Sequence, residues 1–125
     1  METHLREILI FYNPESQRDR RTVVHAKSLV HHVKSFSFES GLKTRRSWQE
    51  VIRALEIHPK ELLNKAHPYY QEHIRGRDFG LSSWLKVIAH NPDIIKAPIA
   101  MRGKRAILCL TPTDIYQLTD QSAST

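Results

Sequence analysis

The sequence predicts an α/β fold: a four-stranded mixed sheet made by a β-α-β half and a β-β-α half, with a helical insert between them. Three observations carry this. The apolar period changes from strand-like to helical after Asn13-Pro14, and alternation returns around Phe36 and Phe38. Three X-Pro pairs, at His58-Pro59, His67-Pro68 and Asn91-Pro92, cut the middle of the chain into short helical pieces. Two apolar runs then flank Arg102-Gly103-Lys104, a spacing for a tight hairpin and therefore an antiparallel pair.

Each element follows from its residues. Glu7 to Tyr12 is an apolar run rich in β-formers that stops at Asn13-Pro14. From Ser16 onward, Val23, Ala26, Val30 and Val33 share one helical face. Phe36 and Phe38 alternate with Ser35 and Ser37 in a second strand that closes at Glu39-Ser40-Gly41, so the first two strands are parallel. The insert, about residues 44–92, begins where Thr44 or Ser47 can cap a helix striped with Trp48, Val51, Ile52 and Leu55. A short helix is expected over Lys60 to Ala66, and another from Gly80 carrying Trp84, Leu85, Val87 and Ile88. Strands over Ala97 to Met101 and Ala106 to Leu110 follow, then a last helix opened by Thr111-Pro112-Thr113-Asp114, and a polar tail, 120–125. Length and composition fit one domain, 1–125.

Charge and cysteine content bound the function classes. The 125 residues carry 19 Lys+Arg against 13 Asp+Glu, a net +6, which favours an anionic ligand, nucleic acid or a protein partner with an acidic face. The basic clusters Lys43, Arg45, Arg46 and Arg102, Lys104, Arg105 could serve nucleic acid, although no helix-turn-helix or aromatic RNA-binding set accompanies them. One cysteine, Cys109, excludes an internal disulfide and a paired-thiol site, and its apolar neighbours mark it as a buried hydrophobe. Nothing reads as a leader or a membrane span, so a cytoplasmic location is expected. His25 and His32 share a helix face without a carboxylate or thiol partner, which leaves no metal site and no cofactor to expect.

The layout resembles the arsenate reductase (ArsC) and Spx family, whose fold is thioredoxin-like. Tyr12-Asn13-Pro14 is similar to that family's YxNPxC opening, and His90 to Ile99 is similar to its HPxL[IL]xRPI segment. Leu62-Leu63-Asn64-Lys65 and Gly103 to Cys109 resemble two further blocks, so the likeness spans about residues 7–118. The resemblance implies a cis bond at Ala97–Pro98. It also implies a nucleophilic Cys two residues after Asn-Pro, where this chain has Ser16, and in Spx-type members a second Cys where it has Asp19. The family's three oxyanion-holding arginines map to Asn64, Ala97 and the neighbourhood of Leu110 or Thr111, while Arg20 fits the pattern. The expectation is a catalytically inactive family member acting as a protein-interaction module, with the α subunit of RNA polymerase as the partner implied by Spx-like members. The enzyme alternative is a residual glutathione-dependent reductase or transferase, and the third reading is a nucleic-acid binder.

No residue is therefore assigned as catalytic. The degenerate loop, with Asn13, Ser16, Arg18, Arg20 and Pro98, is instead a candidate anion site, because arginines beside the free N–H groups of a helix start suit phosphate, sulfate or carboxylate. Ser16-Gln17-Arg18-Asp19 has the capping-box form, in which Ser16 accepts from the Asp19 N–H and the Asp19 carboxylate reaches back to the cap. A thiol introduced at position 16 is expected to have its pKa lowered by at least about one unit from about 8.5 by the helix terminus and Arg18, with Asp19 opposing.

Overall fold

The computed structural model describes residues 6–118. Strand β1 (Glu7–Tyr12) leads into helix α1 (Gln17–Leu29), strand β2 (His32–Ser37) and a single helical turn, α2 (Phe38–Gly41). Helices α3 (Arg45–Leu55) and α4 (Leu81–His90) make most of the insert, and strands β3 (Ile99–Arg102) and β4 (Arg105–Leu108) form the hairpin. The sheet order is β2-β1-β3-β4, with β1 parallel to β2 and antiparallel to β3, which is the predicted four-stranded mixed sheet.

The two sheet faces bury separate apolar clusters. Ile8 and Ile10 of β1 point with Val23 and Ala26 of α1 into one, together with Ile115 and Leu118 of the 3-10 segment Pro112–Leu118. Phe11, Ile99 and Met101 point with Trp48, Val51, Trp84 and Ile88 into the other. This is the period-two alternation of strands covered on both faces. Helix α3 starts with a complete capping box: the Ser47 N–H donates to the Thr44 hydroxyl at 3.0 Å, and the Thr44 N–H to the Ser47 hydroxyl at 3.2 Å. At its far end Glu56 takes a left-handed φ of 57°. Gly103, with φ 62°, supplies the positive φ that the two-residue turn between β3 and β4 needs.

Five expectations change. Helix α1 ends at Leu29, so Val33 lies in β2 and not on the helix, while Phe38 begins α2 in place of ending a strand. The period of Val23, Ala26 and Val30 runs by chance into Val33, and the β1 pairing of Val33 with Ile8 decides its conformation. Lys60 to Ala66 makes only a 3-10 turn, Pro59–Leu62, because Leu63 instead forms an antiparallel bridge with Ile95. The last helix is 3-10. Finally, no cis peptide bond occurs among the described residues, so Ala97–Pro98 is trans. Trans is the intrinsically preferred isomer by about 0.5–1 kcal/mol. Here the Lys96 N–H donates to the Leu62 carbonyl and the Cys109 N–H to the Pro98 carbonyl, each at 2.8 Å, which hold both sides of that bond in place. The tail 120–125 lies outside the described residues. No helix among them is long and apolar enough to cross a membrane.

Candidate functional site

The site is the turn between β1 and α1. Asn13 organises it locally: its side-chain oxygen accepts from the Glu15 N–H at 3.0 Å and its carbonyl from the Ser16 N–H at 3.0 Å, which folds the chain back at Pro14. Ser16 is the N-cap of α1 and accepts from the Asp19 N–H at 3.2 Å. Its own hydroxyl donates to Asp19 Oδ1 at 3.1 Å, and Asp19 Oδ2 accepts from the Asn13 N–H at 3.0 Å. The expected box is therefore extended. Because the Ser16 N–H is already held by Asn13, the carboxylate reaches three residues further back and ties the whole turn together.

Asp19 is 3% exposed, so this carboxylate sits inside the loop. It brings a negative charge to the place where an incoming anion would use the helix terminus. Its nearest counter-charge is Arg18, with Nε 3.7 Å from Oδ1.

The arginines are engaged with the backbone. Arg18 Nη2 donates to the carbonyl of Lys96, and Arg20 Nη1 to the carbonyl of Pro14 at 2.8 Å. Asn13, Ser16, Arg18 and Arg20 thus come together as the sequence suggests, and Arg18 tethers the strand that follows Lys96, where Pro98 is buried. They meet by bonding one another and the main chain. Asn64 uses its side-chain oxygen to accept from the Ala66 N–H at 3.0 Å, and Ala97 is buried. Neither position presents a cation.

Beside the loop lies a cleft of about 440 Å³ whose walls include Asn13, Pro14 and Glu15 from the turn, Glu39 from α2, and Asp93. Among the described residues, three carboxylates and no lysine or arginine line it. Asp93 is also within 3.2 Å of His67 Nε2. Of the loop residues expected to hold an anion, only Asn13 lines this cleft, and its carboxylates Glu39 and Asp93 arrive from elements distant in the chain.

Cys109 is fully buried in the α1-side cluster. Burial, followed by the charges of Asp114 and Asp19, pushes its thiol up to about 12, so it is protonated at neutral pH. His25 Nδ1 is 2.8 Å from the Tyr116 hydroxyl. Among the described residues no group of three or more His, Cys, Asp or Glu could hold a metal ion. Trp48 stacks on Phe38 with ring centroids 6.0 Å apart, and Trp84 meets Phe79 edge-on at 4.9 Å, both as core packing.

The chain with this sheet order, β2-β1-β3-β4, a helix-capping turn after β1 and a helical insert before β3, superposes over most of its length on solved arsenate reductase structures. The fold is that of the arsenate reductases. An arsenate reductase from Vibrio cholerae superposes with a TM-score of 0.79 at 13% identity, covering 93% of this chain and 99% of its own. A candidate arsenate reductase from Yersinia pestis gives 0.75 at 18% identity, with 88% and 98% covered. An ArsC-related protein from Brucella melitensis gives 0.68 at 12%, with 89% and 92% covered. No family model and no curated protein matches the sequence. At these identities the likeness establishes the thioredoxin-like fold alone.

Proposed function

We propose that this chain is a redox-silent protein of the arsenate-reductase fold that works as a protein-interaction module. The observation that carries the reading is the Ser16–Asp19 pair: the side chain at the helix start is a half-buried hydroxyl bonded to a buried carboxylate. A serine hydroxyl neither ionises near neutral pH nor forms a disulfide, and a serine nucleophile would need a base held by a third group. Asp19 already serves as acceptor for the Ser16 hydroxyl and the Asn13 N–H, and its negative charge opposes an arsenate oxyanion at the same place. The remaining thiol is buried and protonated. The resemblance to Spx-like proteins supplies the partner class, the α subunit of RNA polymerase, in a cytoplasmic setting.

The test has two arms. Native protein incubated with oxidised glutathione is followed by intact mass, and no adduct is expected; an adduct formed without denaturant contradicts redox silence. Co-elution with the α subunit in size-exclusion chromatography supports the partner class, and its absence at equimolar micromolar concentrations removes it.

A further inference from the structure

The molecule carries a net charge of +6, yet the cleft beside the Asn13–Ser16 turn is walled by carboxylates. Three elements far apart in the chain build it. Glu15 comes from the β1–α1 turn, Glu39 from the single turn of α2, and Asp93 from the 3-10 turn Pro92–Ile94 that precedes β3. The topology brings them to one margin. Tyr12 at the end of β1 pairs with Ser37 at the end of the parallel β2, and Phe11 pairs with Ile99 at the start of the antiparallel β3. Between the carboxylates the wall is apolar: Phe38 and Ile95, 4% and 8% exposed, belong to the insert-side cluster, and Pro14 and Pro92 complete it. Asp93 meets His67, whereas no hydrogen bond or ion pair among the described residues occupies the Glu15 or Glu39 carboxylate.

We propose that this cleft docks an arginine-bearing segment of the protein partner, with the guanidinium among Glu15, Glu39 and Asp93 and the methylene stem along Phe38 and Ile95. This deepens the interaction reading and rests on it. Two features of the wall fit that side chain together. A guanidinium offers five N–H donors in a planar fork that carboxylates accept in pairs, and its stem covers apolar surface while the head stays in polar surroundings. A volume of about 440 Å³ lies within the range of sites that hold a small group. The neighbouring charges agree. The positive end of α1 is already met by the buried Asp19 carboxylate, and Arg18 and Arg20 donate to the carbonyls of Lys96 and Pro14. Helix α2 is one turn long, too short to oppose a cation with an appreciable dipole. An acidic face, the partner surface that the net charge suggests, would be repelled here; the segment seated in the cleft has the opposite sign.

The experiment is a ¹H–¹⁵N NMR titration of the whole chain with the blocked tripeptide acetyl-Gly-Arg-Gly amide and, in parallel, with its citrulline analogue, which keeps the shape and lacks the charge. Ionic strength is held constant with sodium chloride, because general screening would otherwise mimic binding. Saturable shifts confined to residues 13–15, 37–39 and 93–95 are expected with the arginine peptide alone. Glu39→Gln should weaken its binding about fivefold, the loss of one exposed charge pair. Glu61→Gln, which removes the same charge outside the cleft, should leave it unchanged. Agmatine carries the same guanidinium without a peptide, and tighter binding of agmatine than of the peptide would assign the cleft to a small amine and overturn the docking of a protein segment. Shifts that stay linear, equal binding of the citrulline peptide, or an equal loss in Glu61→Gln and Glu39→Gln also overturn it. The peptide contains no part of the α subunit, so a failure of that subunit to co-elute removes the partner class and leaves the peptide result to stand or fall alone.

Discussion

The variant Ser16→Cys asks what the helix start does to an ionisable group. Sequence alone predicts a thiol pKa lowered by about one unit or more, since helix N-termini and nearby arginines stabilise thiolates. The structure reverses the sign. The Ser16 hydroxyl lies 3.1 Å from Asp19 Oδ1, so a thiolate there would face a carboxylate at about 3–4 Å. Like charges about 4 Å apart repel by about 1 kcal/mol in a water-like medium and about 4 kcal/mol at an effective dielectric of about 20, or about one to three pKa units. The helix terminus returns about 0.3–1 kcal/mol, rising to about 2 when partly buried. Arg18 offsets part of the repulsion from 3.7 Å, but half of its side chain is exposed and screened. The thiol introduced by Ser16→Cys should therefore titrate at or above about 8.5, and adding Asp19→Asn should lower it by about one unit or more. The assay is the pH profile of the iodoacetamide rate in a Cys109→Ala background. A pKa below about 7.5 in the single variant, or no drop on adding Asp19→Asn, refutes the placement of the Asp19 carboxylate against position 16.

Asp19→Ala should cost about 2–3 kcal/mol in urea unfolding, because it removes the buried carboxylate that accepts from both the Asn13 N–H and the Ser16 hydroxyl. Ser16→Ala should cost only about 1 kcal/mol, the usual value of an N-cap. Gly41→Ala should cost about 1–3 kcal/mol by overpacking, since a Cβ there would lie 2.5 Å from Phe11 Cε1 and 2.9 Å from Phe36 Cβ; an unchanged urea midpoint would refute this. For Cys109 the pKa rises from 9.0 to about 12 on folding, so the native state keeps its proton while the unfolded chain loses it. Its contribution is thus constant below pH 9.0 and declines above it, by about 1.4 kcal/mol per pH unit up to about 12. Urea titrations between pH 9 and 11 should show that extra slope in the native sequence and not in Cys109→Ala.

Local signals in the sequence carried most of the architecture. The Trp48, Val51 and Ile52 stripe with Thr44 before it gave α3 and its cap because both depend on residues within one or two turns. The pairing of Leu63 with Ile95 was not legible, since an apolar pair reads equally as helix or strand until its partner is known. The same division runs through the site. Ser16 as an N-cap follows from four adjacent residues, whereas the reach of Asp19 to Asn13 depends on where the Ser16 N–H is spent. The bond from Arg18 to the Lys96 carbonyl spans 78 positions, and the acidic cleft needs Glu15, Glu39 and Asp93 to converge.

The central claim is that the arsenate-reductase fold here carries no arsenate chemistry. Its most direct test is arsenate turnover by repurified protein supplied in turn with the glutathione–glutaredoxin and thioredoxin systems. The account predicts a rate equal to the no-enzyme control with both. Turnover that survives repurification and disappears in Ser16→Ala or Cys109→Ala would contradict it.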